Sequence, residues 1–248
     1  MSRAIEPVLV LVPALNEVQT FGAVVGSLRL HGYDALVIDD GSSDETTLVA
    51  EEAGALVLRL PLNLGVGGAL RLGFREACRR GYSTAVQCDA DGQHDPAQIR
   101  ELLDALAHGD LDMVIGSRFA ADEGGYQVAR TRRVAMRTLA AIASRSTGVR
   151  ITDPTSGFRA VTGDLLAEFA RDYPAEYLGD TVEALVQAGR GGFRVGEVPV
   201  TMAERQGGEA SAGAMASAWY SVRVLITIAV GWRSLPVARR AKVEPAGR

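Results

Sequence analysis

Short β-branched runs alternate with longer stretches of helical periodicity through the first half of the chain, and this alternation constrains the fold more than any other feature. Val8 to Val12, Ala35 to Asp39, Ala55 to Arg59, Thr84 to Cys88 and Met113 to Gly116 read as strands. Gln19 to Leu30, Glu45 to Ala53, Val66 to Arg80 and Pro96 to Ala107 read as the helices between them. Such alternation implies right-handed crossovers and a mainly parallel sheet flanked by helices. The second half is less regular: Arg130 to Ser146 suggests a basic helix, Ser156 to Val161 a short strand, Thr181 to Ala188 a helix and Phe193 to Val200 a strand.

A chain of 248 residues is long enough to bury the core of one such domain, and 47% hydrophobic with 23% charged residues excludes a disordered chain. The net charge of −4 argues against nucleic acid as a partner. Cys78 and Cys88 form neither a C-x-x-C motif nor a zinc spacing, which fits a reduced, cytoplasmic setting. Pro13 and Asn16 end the first apolar run too early for a signal segment or a spanning helix.

In open α/β sheets, ligands bind beyond the carboxyl ends of the strands. Polar turns stand at three of those ends: Pro13-Ala14-Leu15-Asn16-Glu17, Asp39-Asp40-Gly41-Ser42-Ser43-Asp44 and Asp89-Ala90-Asp91-Gly92-Gln93-His94. Asp89 and Asp91, if the backbone stays extended, direct two carboxylates to one side. Hard oxygen ligands of that kind suit Mg²⁺ or Mn²⁺, Gln93 can add a neutral oxygen, and the ion would stabilise a departing diphosphate. An isolated D-x-D is more often a solvated acidic turn, and only its company changes that balance. Asp39 or Asp40 can accept hydrogen bonds from a ribose or a base, while Ser43 or Asp44 caps the next helix. Gly65, Gly67 and Gly68 do not make a dinucleotide fingerprint, because Leu70 occupies the third glycine position.

Arginines form the second group. Arg118 follows the fifth strand, Arg130, Arg132 and Arg133 open the next helix, and Arg205 lies in a Gly-rich segment. Guanidinium forks suit phosphates, and ordinary surface ion pairs are the competing explanation. Asp180 and Glu183 share a helix face, and either is a candidate general base or simply a favourable charge in a first helical turn. No Ser-His-Asp or nucleophile-elbow pattern is present.

Taken together, Pro13 to Glu17, Asp39-Asp40-Gly41-Ser42, Asn63-Leu64-Gly65, Asp89-Ala90-Asp91-Gly92-Gln93-His94, Gly116-Ser117-Arg118 and Ser156-Gly157-Phe158-Arg159 resemble the family 2 glycosyltransferases, and among them the dolichol- and polyprenyl-phosphate sugar synthases. The resemblance implies an α/β fold of the GT-A type, with a Rossmann-like sheet and a C-terminal amphipathic helix. It implies a glycosyltransferase domain over 1–212 and a helix with a basic tail over 213–248, associated with a membrane or a partner. Asp89, Asp91 and Gln93 match the metal site, and Pro13, Asn16, Glu17, Asp39, Asp40, Asp89, Ala90 and Arg205 the nucleotide-sugar site. Asp91, Arg118, Arg132 and Asp180 match catalytic positions, with Arg118, Arg132 and Arg205 expected to meet phosphates. Arg130 or Arg133 can stand in for Arg132. Two departures stand out: Ala14 or Leu15 replaces an aromatic residue, and Ala212 replaces a lysine after Ser211.

The reaction so implied is an inverting transfer of sugar from a GDP-, UDP- or dTDP-linked donor to a polyprenyl phosphate, with Mg²⁺ or Mn²⁺, at the inner face of the membrane. Trp219, Tyr220, Val222, Leu225, Ile226, Ile228 and Trp232 make an apolar stripe that can lie in that interface, pack on the domain or dock on a small membrane-protein partner. A family 2 enzyme acting on a glycan or protein hydroxyl shares these motifs but needs Asp180 or Glu183 as a true base. A non-catalytic sugar-nucleotide binder would keep the pocket alone.

Overall fold

The computed structural model describes residues 7–120, 130–174 and 180–203, with 130–135 described by backbone alone. β1 (Val8–Ala14) leads through α1 (Val18–Leu30), β2 (Asp34–Asp39), α2 (Thr46–Glu52), β3 (Leu56–Arg59), α3 (Gly65–Arg79), β4 (Thr84–Gln87) and α4 (Ile99–Gly109) to β5 (Met113–Ser117). Then come α5 (Arg130–Thr147), β6 (Arg159–Thr162), α6 (Gly163–Arg171), α7 (Asp180–Arg190) and β7 (Val195–Pro199). The strands form one sheet in the order β3-β2-β1-β4-β6-β5-β7. All neighbours are parallel except β6, which runs antiparallel to both β4 and β5.

β1 is apolar on both faces because it is covered on both. Leu9 and Leu11 pack with Leu36, Ile38, Leu70 and Phe74 on one side of the sheet. Val8, Val10 and Val12 alternate to the other side, against Phe21, Val24, Leu28, Ile99 and Leu102. Each such side chain contributes roughly 1.5–3 kcal/mol by leaving water. α3 can approach closely because Gly73 lacks a Cβ; one built there would lie 3.0 Å from Ile38 Cδ1 and 3.2 Å from Leu11 Cδ1. Phe74, Phe169 and Tyr173 lock α3 to α6, with ring centroids 5.0 to 5.5 Å apart. Pro13 is tolerated in a central strand because β4 pairs with β1 only as far as Leu11.

The reversed β6 decides what reaches the site. Its first residue, Arg159, pairs with Gln87 near the end of β4 and with Ile115 in β5. The loop before β6 therefore arrives at the same sheet edge as the carboxyl ends of the parallel strands. The stretch from Ser156 to Phe158 is part of this loop rather than of the strand, and the Ser156 carbonyl turns to the Arg159 guanidinium. α6 has no counterpart among the elements expected from sequence.

Candidate active site

The residues that follow β1 and β2 form one interlocked corner. Asn16 adopts a left-handed backbone (φ 56°), which an Asn tolerates better than most residues. Its N–H donates to Ser42 Oγ at 2.9 Å, and its side-chain oxygen accepts the N–H of Ser43 at 2.9 Å. Glu17 donates its N–H to Thr46 Oγ1 at 3.0 Å, and its carbonyl accepts from Thr20 and Phe21 to start α1. Asp44, one residue before the N-cap position Glu45, accepts the N–H of Thr46 at 3.0 Å and so satisfies a donor at the start of α2.

Asp39 is fully buried, accepts the N–H of Ser42 at 2.8 Å and the hydroxyl of Thr47, and lies 3.8 Å from Arg59 Nε. Burial alone would raise its pKa, but the donors from Ser42 and Thr47 and the charge of Arg59 prevail and hold it below the usual value. Asp40 beside it accepts the N–H of Leu64 at 2.7 Å. Burial raises its pKa, against the N–H groups of Leu64 and Gly65 and with the help of the Asp39 charge. Pro13 is half-buried in β1, and Ala14 accepts the N–H of Asp40 at 2.9 Å.

β4 ends at Gln87, one residue sooner than the sequence suggests, and the chain turns through Ala90 to Gly92, the last at φ 75°. Asp89 and Asp91 are therefore not successive residues of an extended strand. Asp89 has a side chain 41% exposed, whereas Asp91 is buried and accepts the N–H of Gln93 at 3.0 Å. Thr20 Oγ1 donates to the carbonyl of Ala90 at 2.9 Å, and Ala203 donates its N–H to the carbonyl of Gln93 at 3.0 Å. His94 fixes the start of this turn: its Nδ1 accepts the N–H of Asp89 at 2.9 Å. In the neutral ring the proton therefore sits on Nε2, 3.7 Å from Asp89 Oδ2. The ring stacks on Phe158 at 4.8 Å.

Arg118 stands at the end of β5 with its guanidinium gripped by Asp153, Nε to Oδ2 at 2.7 Å and Nη2 to Oδ1 at 2.9 Å. Arg132 lies in the first turns of α5, and Arg205 lies outside the described residues. Asp180 opens α7 and Glu183 follows one turn later, both buried. Asp180 Oδ1 accepts the N–H of Thr181 at 2.8 Å, and Oδ2 is buried without a hydrogen-bond partner among the described residues. Burial pushes the Asp180 carboxyl up to about 6, opposed by Arg159 and the Thr181 N–H and reinforced by the charge of Asp89.

Three residues of importance have no role that the sequence assigns, although Gly157 and Arg159 lie in the motif Ser156-Gly157-Phe158-Arg159. Arg159, 2% exposed, donates from Nε to the carbonyl of Ser156 at 2.6 Å, from Nη1 to Thr181 at 2.7 Å and from Nη2 to Pro154 at 2.9 Å. It thereby ties the β6 loop to the start of α7, and burial lowers its pKa. Gly157 lies so close to the D-x-D turn that a Cβ there would meet both Asp89 carboxylate oxygens at 2.9 Å. Asp153 reads in sequence as an ordinary Asp-Pro turn.

The family described as glycosyl transferase family 2 matches residues 9–173. The chain is 37% identical over 212 residues to an undecaprenyl-phosphate mannosyltransferase of Micrococcus luteus, covering 82% of this chain and 86% of that one. It is 34% identical over 221 residues to a polyprenol monophosphomannose synthase of Mycolicibacterium smegmatis, covering 82% and 80%. Among solved structures, glucosyl-3-phosphoglycerate synthase from Mycobacterium tuberculosis in complex with Mn²⁺, UDP and glucosyl-3-phosphoglycerate superposes with a TM-score of 0.66 at 23% identity, over 90% of this chain and 79% of that one. The same enzyme with Mg²⁺ and UDP gives 0.67 at 24% over the same shares. At such identities the likeness is one of fold, and it agrees with the GT-A-type α/β architecture.

Proposed function

The chain belongs to glycosyl transferase family 2 and is a glycosyltransferase, and from that premise we propose that it moves a sugar from a nucleotide-sugar donor to a polyprenyl phosphate, with inversion and with Mg²⁺ or Mn²⁺. The observation that carries this reading is the delivery of Asp39, Asp40, Asp89, Asp91 and Arg118 to one sheet edge by the three parallel strands β2, β4 and β5. It is supported by two relatives whose names specify polyprenyl-type phosphate acceptors and a mannosyl group.

The D-x-D turn fits a hard divalent ion. Among the described residues no cluster of three His, Cys, Asp or Glu forms an all-protein cage. Mg²⁺ and Mn²⁺ at nucleotide sites are held by one or two carboxylates and completed by phosphate oxygens and water. Asp89 and Asp91 would hold the ion, with Gln93 able to add an oxygen. When bound, it would offset the charge gathering on the departing diphosphate.

The Asn16 and Asp39 to Ser42 turns would hold the nucleoside side of the donor. Arg118, with Arg132 and Arg205, would hold phosphates and orient the acceptor. In the transfer, an acceptor phosphate oxygen bonds to the anomeric carbon as the carbon–oxygen bond to the diphosphate breaks, and the electron pair leaves with the nucleoside diphosphate. No proton has to be removed, because the attacking oxygen is already anionic. Orientation and charge screening therefore matter more than a base.

A second reading draws on Asp180. A carboxyl near 6 is well matched to general-base work at neutral pH, as a hydroxyl acceptor requires. No described helix is long and apolar enough to cross a membrane. Residues 213–248, outside the described residues, would bring domain 1–212 to the inner face of the membrane or to a membrane-bound partner.

The test uses purified protein with Mn²⁺, radiolabelled nucleotide sugars and a short polyprenyl phosphate. Label is expected in the organic phase, and Asp91→Ala or a chelator should abolish it. Full activity in chelator would contradict the metal assignment, and donor hydrolysis without lipid product would favour the hydroxyl reading.

A further inference from the structure

Asp153 sits in the loop before β6 and is fully buried although it is a carboxylate. Its Oδ2 accepts from Arg118 Nε at 2.7 Å and from the Arg118 backbone N–H at 3.4 Å. Its Oδ1 accepts from Arg118 Nη2 at 2.9 Å and from Thr155 Oγ1 at 3.1 Å, and that hydroxyl in turn accepts from Nη2 at 3.3 Å. Behind this arrangement stands Glu197 of β7. Its carboxylate accepts the N–H of Thr152 at 2.9 Å, the N–H of Asp153 at 2.9 Å and the Thr152 hydroxyl at 2.8 Å.

A loop already pinned by Glu197 through three bonds does not need an ion pair to hold it, and taking the Asp153 carboxylate out of water to meet an exposed arginine is costly. What the pair adds is orientation. Two contacts along the Nε–Nη2 edge fix the plane of a guanidinium, the property on which bidentate phosphate recognition depends. A long side chain fixed in advance loses less freedom when it meets its ligand. We propose that Asp153 is a positioning residue that orients Arg118 for the acceptor phosphate, with Thr155 and Glu197 as its supports. The inference rests on the reading, given above, that Arg118 meets that phosphate.

Wild type, Arg118→Ala, Asp153→Asn and the double variant are compared for acceptor KM, for kcat and for affinity toward the nucleoside diphosphate with Mn²⁺ by calorimetry. Thermal denaturation checks folding. Asn keeps the shape of Asp but cannot accept from two N–H donors through two oxygens. Asp153→Asn should raise acceptor KM about tenfold or more, as misplacement of an orienting group does. Nucleoside diphosphate affinity should stay unchanged, and the double variant should be no worse than Arg118→Ala alone. A loop that merely loosened would weaken the donor side too, because Gly157 of the same loop abuts Asp89.

An acceptor KM raised by Arg118→Ala but unmoved by Asp153→Asn overturns the positioning role. An acceptor KM unmoved by Arg118→Ala overturns the reading of Arg118 on which it rests. Should Asp153→Asn not fold, Thr155→Val, which removes only the bridging hydroxyl, should show a smaller rise in the same KM that disappears in the Arg118→Ala background. A rise that persists there overturns the proposal.

Discussion

Replacing Asp180 with Asn should change stability in a way that shifts in favour of Asn as pH rises from 4 to 8. Burial lifts the Asp180 carboxyl from 3.8 to about 6, and at 1.36 kcal/mol for each tenfold that rise amounts to about 3 kcal/mol. The sign follows from proton binding. Between roughly 4 and 6 the folded state holds a proton that the unfolded state has released, so stability from this group is fully present below the unfolded value and is lost as pH rises through about 6. At pH 8 the wild type carries an ionised, buried Asp180, and Asn removes that charge. The Asn amide brings its own pH-independent costs, which cancel when the same pair is compared at two pH values. Urea denaturation of wild type and Asp180→Asn should therefore show a stability difference that shifts by roughly 2 kcal/mol in favour of Asn between pH 4 and pH 8. A difference independent of pH would show that Asp180 is not held ionised at a cost, and the argument from burial would be wrong. In the proposed reaction Asp180 takes no proton, so kcat should fall less than about tenfold; a base acting on a hydroxyl should cost about 10²–10⁴-fold.

Gly157→Ala would place a methyl group 2.9 Å from both Asp89 carboxylate oxygens and 3.1 Å from Gln87 Nε2. The exposed Asp89 side chain can swing away, so the melting temperature should change little while kcat at saturating metal falls about 10- to 100-fold; unchanged kcat would show that the position of Asp89 is not critical. Arg159→Met leaves the carbonyls of Pro154, Ser156 and Thr181 without their buried donor. Chemical denaturation should register a loss of about 3 kcal/mol or more, and a loss below about 1 kcal/mol would mean that the β6 loop is held by other contacts.

The parallel half of the fold is legible in sequence because its signals are local. The β-branched run from Val8 to Val12 and the acidic turns after β2 and β4 each declare both a strand and its end. The register of β6 is not local. Four residues, Arg159 to Thr162, carry no period long enough to show direction, and their antiparallel pairing is fixed by β4 and β5, more than forty residues away in sequence. The same holds for the site. Arg118 can be picked out by its place after a strand, but its partner Asp153 looks like any Asp-Pro turn until the fold brings it there. Ser156 to Phe158 reads as strand because Phe158 is apolar and flanks Arg159, yet the Phe158 carbonyl accepts from the Gly116 N–H while the guanidinium draws the carbonyls of Pro154 and Ser156 away.

The central claim is that sugar passes to a phosphate oxygen of a polyprenyl phosphate. The measurement that tests it most directly offers one preparation of the enzyme, with donor and Mn²⁺, a short polyprenyl phosphate and the matching polyprenol side by side. Label in the lipid phase with the phosphate alone, as an acid-labile sugar phosphodiester, is the predicted result. Transfer to the alcohol, or to neither, would contradict it.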